Sequence, residues 1–244
     1  MKKVLLAVAA CVIFAVPALA ADVQCTTGTY NFKGVCAKPT PEQGLDLLLK
    51  GNANFVKGDL SALQKFSNAA ERKEVALGQK PFAIVLTCSD SRLPPEILFN
   101  KGLGEIFVVR VAGNVVAPHE LGSIEYALEH LGANLIVVLG HERCGAVSAT
   151  YGAYPAHVEG NIGSLTESIY PAVDKVVAGT KPAGTVEQAA QVEECIVENI
   201  NMVSESLETK SLIIKELVEK GETKIVRAKY DLDNGVVTVL GAGH

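Results

Sequence analysis

Tryptophan is absent from the 244 residues, so no site in this chain can use an indole ring. An excess of positive charge is also lacking: 22 Lys and Arg stand against 27 Asp and Glu. Without a basic footprint, nucleic acid and anionic membrane surfaces are poor partners, and a small molecule or another protein is the expected one. The 22 glycines and 10 prolines are too few for a collagen-like or disordered chain. No internal repeat, low-complexity tract or second domain stands out. The apolar region from Val4 to Val16 is shorter than the ~18 residues that a spanning helix needs, so no membrane span is expected. What remains is an ordinary globular composition, long enough for one sizeable core.

The first twenty residues read differently from the rest. Lys2 and Lys3 precede an apolar stretch from Val4 to Val16, and Pro17-Ala18-Leu19-Ala20 supplies a small-residue cleavage site. This is the pattern of a secretory signal peptide cut after Ala20. A lipoprotein signal ending at Cys11 would leave an apolar region of only a few residues, so cleavage after Ala20 is preferred. The expected organisation is a signal at 1–20, an extension at 21–40 and one main domain at 41–244, placed in the periplasm or outside the cell. Export permits disulfides. Cys25 and Cys36 flank a short polar stretch and are expected to pair; two free thiols are the alternative. Cys195 falls on a helical pattern and reads as a buried small hydrophobe.

Further along, Thr40, Pro41 and Gln43 form an N-terminal capping signal for a first helix. A second helix is predicted over Leu60–Leu77, ending at Gly78. Together these make an N-terminal helical arm. Pro81–Thr87, Glu105–Val111 and Asn134–Leu139 are apolar, β-branched runs that read as buried strands. Helical spacing covers His119–Leu131, 162–177, 185–208 and 212–219. Two further strand patterns flank Asp233-Asn234-Gly235, a hairpin signal. Buried strands alternating with helices imply an α/β fold with a mainly parallel central sheet flanked by helices.

In open parallel sheets, ligands bind beyond the carboxyl ends of the strands. The first buried run ends in Cys88 and Asp90, the third in His141 and Cys144. If those strands are neighbours, two thiolates and an imidazole converge into a soft set suited to Zn²⁺, with the fourth position open for catalysis. Asp90 can fill that position as a fourth ligand in a closed state. Arg92, two residues on, can instead pair with Asp90 and leave the position to water. Each piece has a plainer reading: a Cys88–Cys144 disulfide, a loop salt bridge, a helix cap. Their joint placement at two strand ends is what favours a metal centre.

CSDSR (88–92) and GHERCGA (140–146), each after a buried strand, resemble the β-class carbonic anhydrases. So do FVVRVAGN (107–114), IEYAL (124–128), LLLKGNANFVKGDL (47–60) and YDLDNGVV (230–237). The resemblance covers nearly all of residues 41–244. It implies one Zn²⁺ per subunit on Cys88, His141 and Cys144, an Asp90–Arg92 dyad, and reversible hydration of CO₂ to bicarbonate and a proton by zinc-bound hydroxide. It also implies a homodimer or dimer of dimers, with the N-terminal helices wrapped on the partner. By motif matching, Gln79, Phe107, Tyr126 and Gly145 fall at substrate-pocket positions of plant-type members, Gln79 reaching across the dimer interface. Bicarbonate-inhibited members carry a Trp shortly before the first cysteine. Val85 stands there in this chain, which points to the open-site type. Arg110 and Gly113 match the pattern with structural roles. His119, His130, His157 and His244 offer no evident proton shuttle. A carbonyl sulfide or carbon disulfide hydrolase would use the same ligands, and a non-catalytic zinc module is the remaining alternative.

Overall fold

Thr40 and Pro41 open the first helix as their residue types predict. The computed structural model describes residues 38–242 and shows α1 at Pro41–Val56 with a reciprocal cap. Thr40 Oγ1 accepts from the Gln43 N–H, and Gln43 Oε1 accepts from the Thr40 N–H. α1 buries Leu48, and Asn52 ties the helix to distant backbone. Its Nδ2 donates to the Leu98 and Gly235 carbonyls, and its Oδ1 accepts from the Val237 N–H at 2.8 Å. Gly51 lets the helix approach closely, since a Cβ there would lie 1.8 Å from the Phe99 carbonyl oxygen. Within one chain, α1 therefore packs on its own sheet.

The single helix expected over 60–77 is broken in two, α2 at Ser61–Lys65 and α3 at Ala69–Val75. Asn68 is the cause. Its Oδ1 accepts from the Ala70 and Glu71 N–H groups, so it caps a new helix instead of continuing the old one.

Five strands follow: β1 (Ala83–Thr87), β2 (Ile106–Arg110), β3 (Leu135–His141), β4 (Lys224–Tyr230) and β5 (Val237–Ala242). Their order is β2-β1-β3-β4-β5, with the first four parallel and β5 antiparallel to β4. Between them lie α4 (Pro95–Leu98), a 3₁₀ turn (Ala112–Asn114), α5 (Pro118–Glu129), α6 (Gly145–Ala153), α7 (Asn161–Val177), α8 (Thr185–Lys210) and α9 (Leu212–Glu219). The strand pleat sorts side chains between two cores. Ile84, Leu86, Ile136 and Val138 pack under helices that include α5, α7 and α8. Ala83, Val85, Leu135, Val137 and Leu139 face α1 and α4. Both faces are covered, which is why the strands read as continuous apolar runs. Cys195 is wholly buried on α8, as its helical pattern predicted.

The hairpin turn is wider than the Asn-Gly signal suggested. Tyr230 pairs with Val237, and Asp231 Oδ1 accepts from the Asp233 and Asn234 N–H groups. Among the described residues, no helix is long and apolar enough to cross a membrane. The signal at 1–20, most of the 21–40 extension, the Cys25–Cys36 pairing and His244 lie outside the described residues.

Candidate metal centre

The register of two neighbouring strands builds the site. β1 and β3 pair directly, with Thr87 opposite Leu139, and Thr87 Oγ1 donates to the Leu139 carbonyl at 2.8 Å. The residues just past this rung are Cys88 on one strand, and Gly140 and His141 on the other. β3 runs two residues further than its apolar pattern, so His141 itself is the last strand residue. Cys144 then sits at the N-terminus of α6. The ligand atoms of Cys88, His141 and Cys144 all lie within 4.8 Å of one another, and all three side chains are buried.

The chemistry of this set fits a soft cation. His141 Nδ1 is 2.8 Å from the Glu142 carbonyl oxygen, and a carbonyl can only accept, so Nδ1 carries the proton. The lone pair is then on Nε2, which is wholly buried and has no hydrogen-bond partner. Fixing the tautomer through the other ring nitrogen is how metal-binding histidines are prepared. Cys88 and Cys144 are free thiols, not a disulfide. Cys88 is pulled toward the thiolate by a hydrogen bond from Cys144 and by the Gly113 N–H, whose nitrogen is 3.3 Å from its sulfur. Cys144 is pushed the other way by its contact with Cys88 and by burial. Two adjacent buried thiolates repel, and a divalent cation between them removes that conflict.

Asp90 stands beside this group without joining it. Arg92 Nε and Nη2 donate to Asp90 Oδ1 and Oδ2 at 2.9 and 2.7 Å, and the Arg92 N–H also reaches Oδ1. The arginine holds the Asp90 carboxyl well below the usual carboxylate range. Asp90 Oδ2 is 4.0 Å from His141 Nε2. The loop beneath is fastened by Arg110, which donates to the Cys88 and Asp90 carbonyls at 3.1 and 2.6 Å. Gly113 has a φ of 74°, and a Cβ there would lie 2.6 Å from Ile169 Cδ1, so glycine is required where its N–H meets the Cys88 sulfur. Its carbonyl is held in turn by Asn199 Nδ2 at 2.8 Å.

Comparisons with known proteins agree on one family. The family model described as carbonic anhydrase matches residues 83–237. Carbonic anhydrase 2 of Mycobacterium tuberculosis is 38% identical over 188 residues, spanning 77% of this chain and 87% of the relative. A tetrameric β-carbonic anhydrase of Sordaria macrospora superposes with a TM-score of 0.63 at 26% identity, over 72% of this chain and 89% of that one. The chain belongs to the β-class carbonic anhydrases. As a carbonic anhydrase it is a carbonate dehydratase, a lyase. The Coccomyxa β-carbonic anhydrase, solved with acetazolamide, gives a TM-score of 0.61 at 25% identity over 80% of this chain and 86% of its own.

The pocket positions suggested by the carbonic anhydrase pattern do not all gather at the metal ligands. Gly145 adjoins Cys144 as the first residue of α6 and is exposed. Phe107 on β2 and Tyr126 on α5 meet in a separate cleft of about 420 Å³ with Pro118, His119, Gly122 and Ser123. Gln79 is exposed and precedes β1, so it lies at the amino edge of the sheet, the end opposite Cys88. Sequence reasoning missed Thr87 and Asn199 as supports. A threonine in an apolar strand and an asparagine in a helix carry no local signal of a bond to a distant carbonyl.

Proposed function

We propose that this carbonic anhydrase holds one Zn²⁺ per subunit on Cys88 Sγ, His141 Nε2 and Cys144 Sγ, and hydrates CO₂ at an open fourth position. The observation that carries this reading is His141 Nε2, buried and unpartnered beside two thiols while its other nitrogen is committed as a donor. When bound, Zn²⁺ lowers the pKa of a coordinated water from 15.7 to roughly 7 and so supplies a nucleophile at neutral pH.

The chain's own residues do the rest. Asp90 has both oxygens engaged by Arg92 and serves as a hydrogen-bond acceptor, not a fourth ligand. It accepts from the reacting water and so fixes the direction of attack. Arg110 holds the loop that presents Cys88 and Asp90, and the Gly113 N–H favours the Cys88 thiolate. The Phe107–Tyr126 cleft lacks the metal ligands, and Gln79 sits at the far edge of the sheet. A second copy of the chain supplies these three groups, which makes the homodimer the smallest complete unit. Export after cleavage behind Ala20, with a Cys25–Cys36 disulfide, places the reaction outside the cytoplasm.

Stopped-flow CO₂ hydration with zinc stoichiometry tests this on the chain starting at Ala21. One zinc per chain and activity that falls as pH drops are expected. Full hydration by zinc-free protein overturns the reading.

A further inference from the structure

The peptide group joining Glu142 to Arg143, inside the metal loop, is hydrogen-bonded at both ends. Its carbonyl oxygen accepts the Nδ1 hydrogen of His141 at 2.8 Å. Its N–H donates to Glu193 Oε1 on α8 at 2.7 Å. A peptide is a conjugated unit, so a carboxylate on its N–H raises the electron density on its carbonyl oxygen. Arg143 has a φ of 50°, a conformation that a non-glycine residue keeps only where its surroundings hold it. The Glu193 bond is one such hold. The other Glu193 oxygen lies 3.5 Å from Lys229 Nζ, which is equally close to Glu142 Oε1, so the carboxylate is aimed from two sides.

We propose that the Glu193 carboxylate orients and tunes His141 through the Glu142–Arg143 peptide, as a carboxylate–peptide–imidazole relay. Metal-binding histidines commonly donate their second N–H to a carboxylate or a backbone carbonyl. Here the two are joined in series. The charged end strengthens the carbonyl as an acceptor, the carbonyl draws on the Nδ1 hydrogen, and Nε2 becomes a better electron-pair donor. Glu193 is thus a positioning residue 50 positions from the loop it serves. Arg143 has a separate anchor, its guanidinium on the Asp233 carboxylate at 2.9 and 2.8 Å, which is exposed and does not enter the relay. The inference rests on the zinc reading above.

The test compares Glu193→Ala, Glu193→Gln and, as a control elsewhere on α8, Glu198→Gln, whose native partner is Lys175 on α7. Two quantities are read on zinc-loaded protein: zinc affinity by competition with a chromogenic chelator, and the proton resonance of the His141 imidazole N–H. Glu193→Ala should weaken zinc binding about 10- to 100-fold and move that resonance upfield. Glu193→Gln keeps an acceptor oxygen but no charge, so it should lose less affinity and still shift the resonance. Glu198→Gln should change neither. Weaker zinc binding with an unmoved resonance in both Glu193 variants would mean a mechanical hold only and overturns the relay. Wild-type affinity in both also overturns it. A wild-type chain that takes up no zinc overturns the metal reading itself, and the relay with it.

Discussion

At the carboxyl end of the parallel sheet, Cys88, His141 and Cys144 are buried together. At the amino end, just before β2, Lys101 and Glu105 are buried almost as deeply, 6% and 5% exposed. Each end also strands polar atoms, among them Nε2 of His141 and Oε1 of Glu105. Yet the two ends resolve their burial in different ways. Desolvation pushes the Glu105 carboxyl up and the Lys101 ammonium down, each partly offset by the other, so the pair drifts toward neutrality. Glu105 Oε2 still accepts from the Gly102 N–H, at 2.6 Å, which closes the local turn. At the carboxyl end the donor set is soft, convergent and already tautomer-fixed, and Cys88 is driven toward its charged form despite burial. Burial of ionisable groups therefore does not mark a site by itself. Convergence of soft ligand atoms on one point does.

The largest contrast between the two ends should come from removing a ligand. His141→Ala or Cys144→Ala should reduce bound zinc from one per chain to none and abolish CO₂ hydration, while Glu105→Gln leaves both unchanged; elemental analysis and stopped-flow assay read this directly. If Glu105→Gln also lost zinc, the division between a functional and a structural end would fail. Asp90→Asn should lower the hydration rate by about 10²-fold with zinc content intact, the scale of one positioned proton acceptor. Full activity in that variant would return the Asp90–Arg92 pair to an ordinary loop salt bridge.

Gly113→Ala joins a left-handed φ to a collision with Ile169, and should destabilise the fold by about 2–4 kcal/mol in urea unfolding. The smallest effect is a pH slope at the amino end. Glu105 titrates higher in the folded chain than its ordinary value of 4.5, so the folded state holds the extra proton above that pH. Its contribution is fully present below the unfolded value and is lost as pH rises through the raised folded one. Thermal unfolding of Glu105→Gln should therefore fall less steeply from acid toward neutral pH than that of the unmutated chain.

Much of this was legible before any coordinates. The Thr40 cap, the buried strands and the long C-terminal helices follow from local periodicity and end signals, which act over a few residues. Asn68 broke the second predicted helix because a side chain that satisfies its own neighbours' N–H groups competes with helix continuation. α4 was missed because a single turn after two prolines offers too little periodicity to read. α1 lies on its own sheet because Asn52 bonds to segments 46 and 183 residues away, and no spacing announces that.

Residue type and position alone determined which atoms can serve as ligands and that each stands at the end of a buried strand. That information is local: apolar run, stop, then Cys or His. Only the tertiary structure decided that β1 and β3 are neighbours in the register Thr87 to Leu139, which turns three separate residues into one site. It also gathered Phe107 and Tyr126 into one cleft and brought Glu193 onto the Arg143 N–H of the metal loop. Strand pairing across some fifty residues is settled by covering both faces of the sheet at once, a condition on the whole chain.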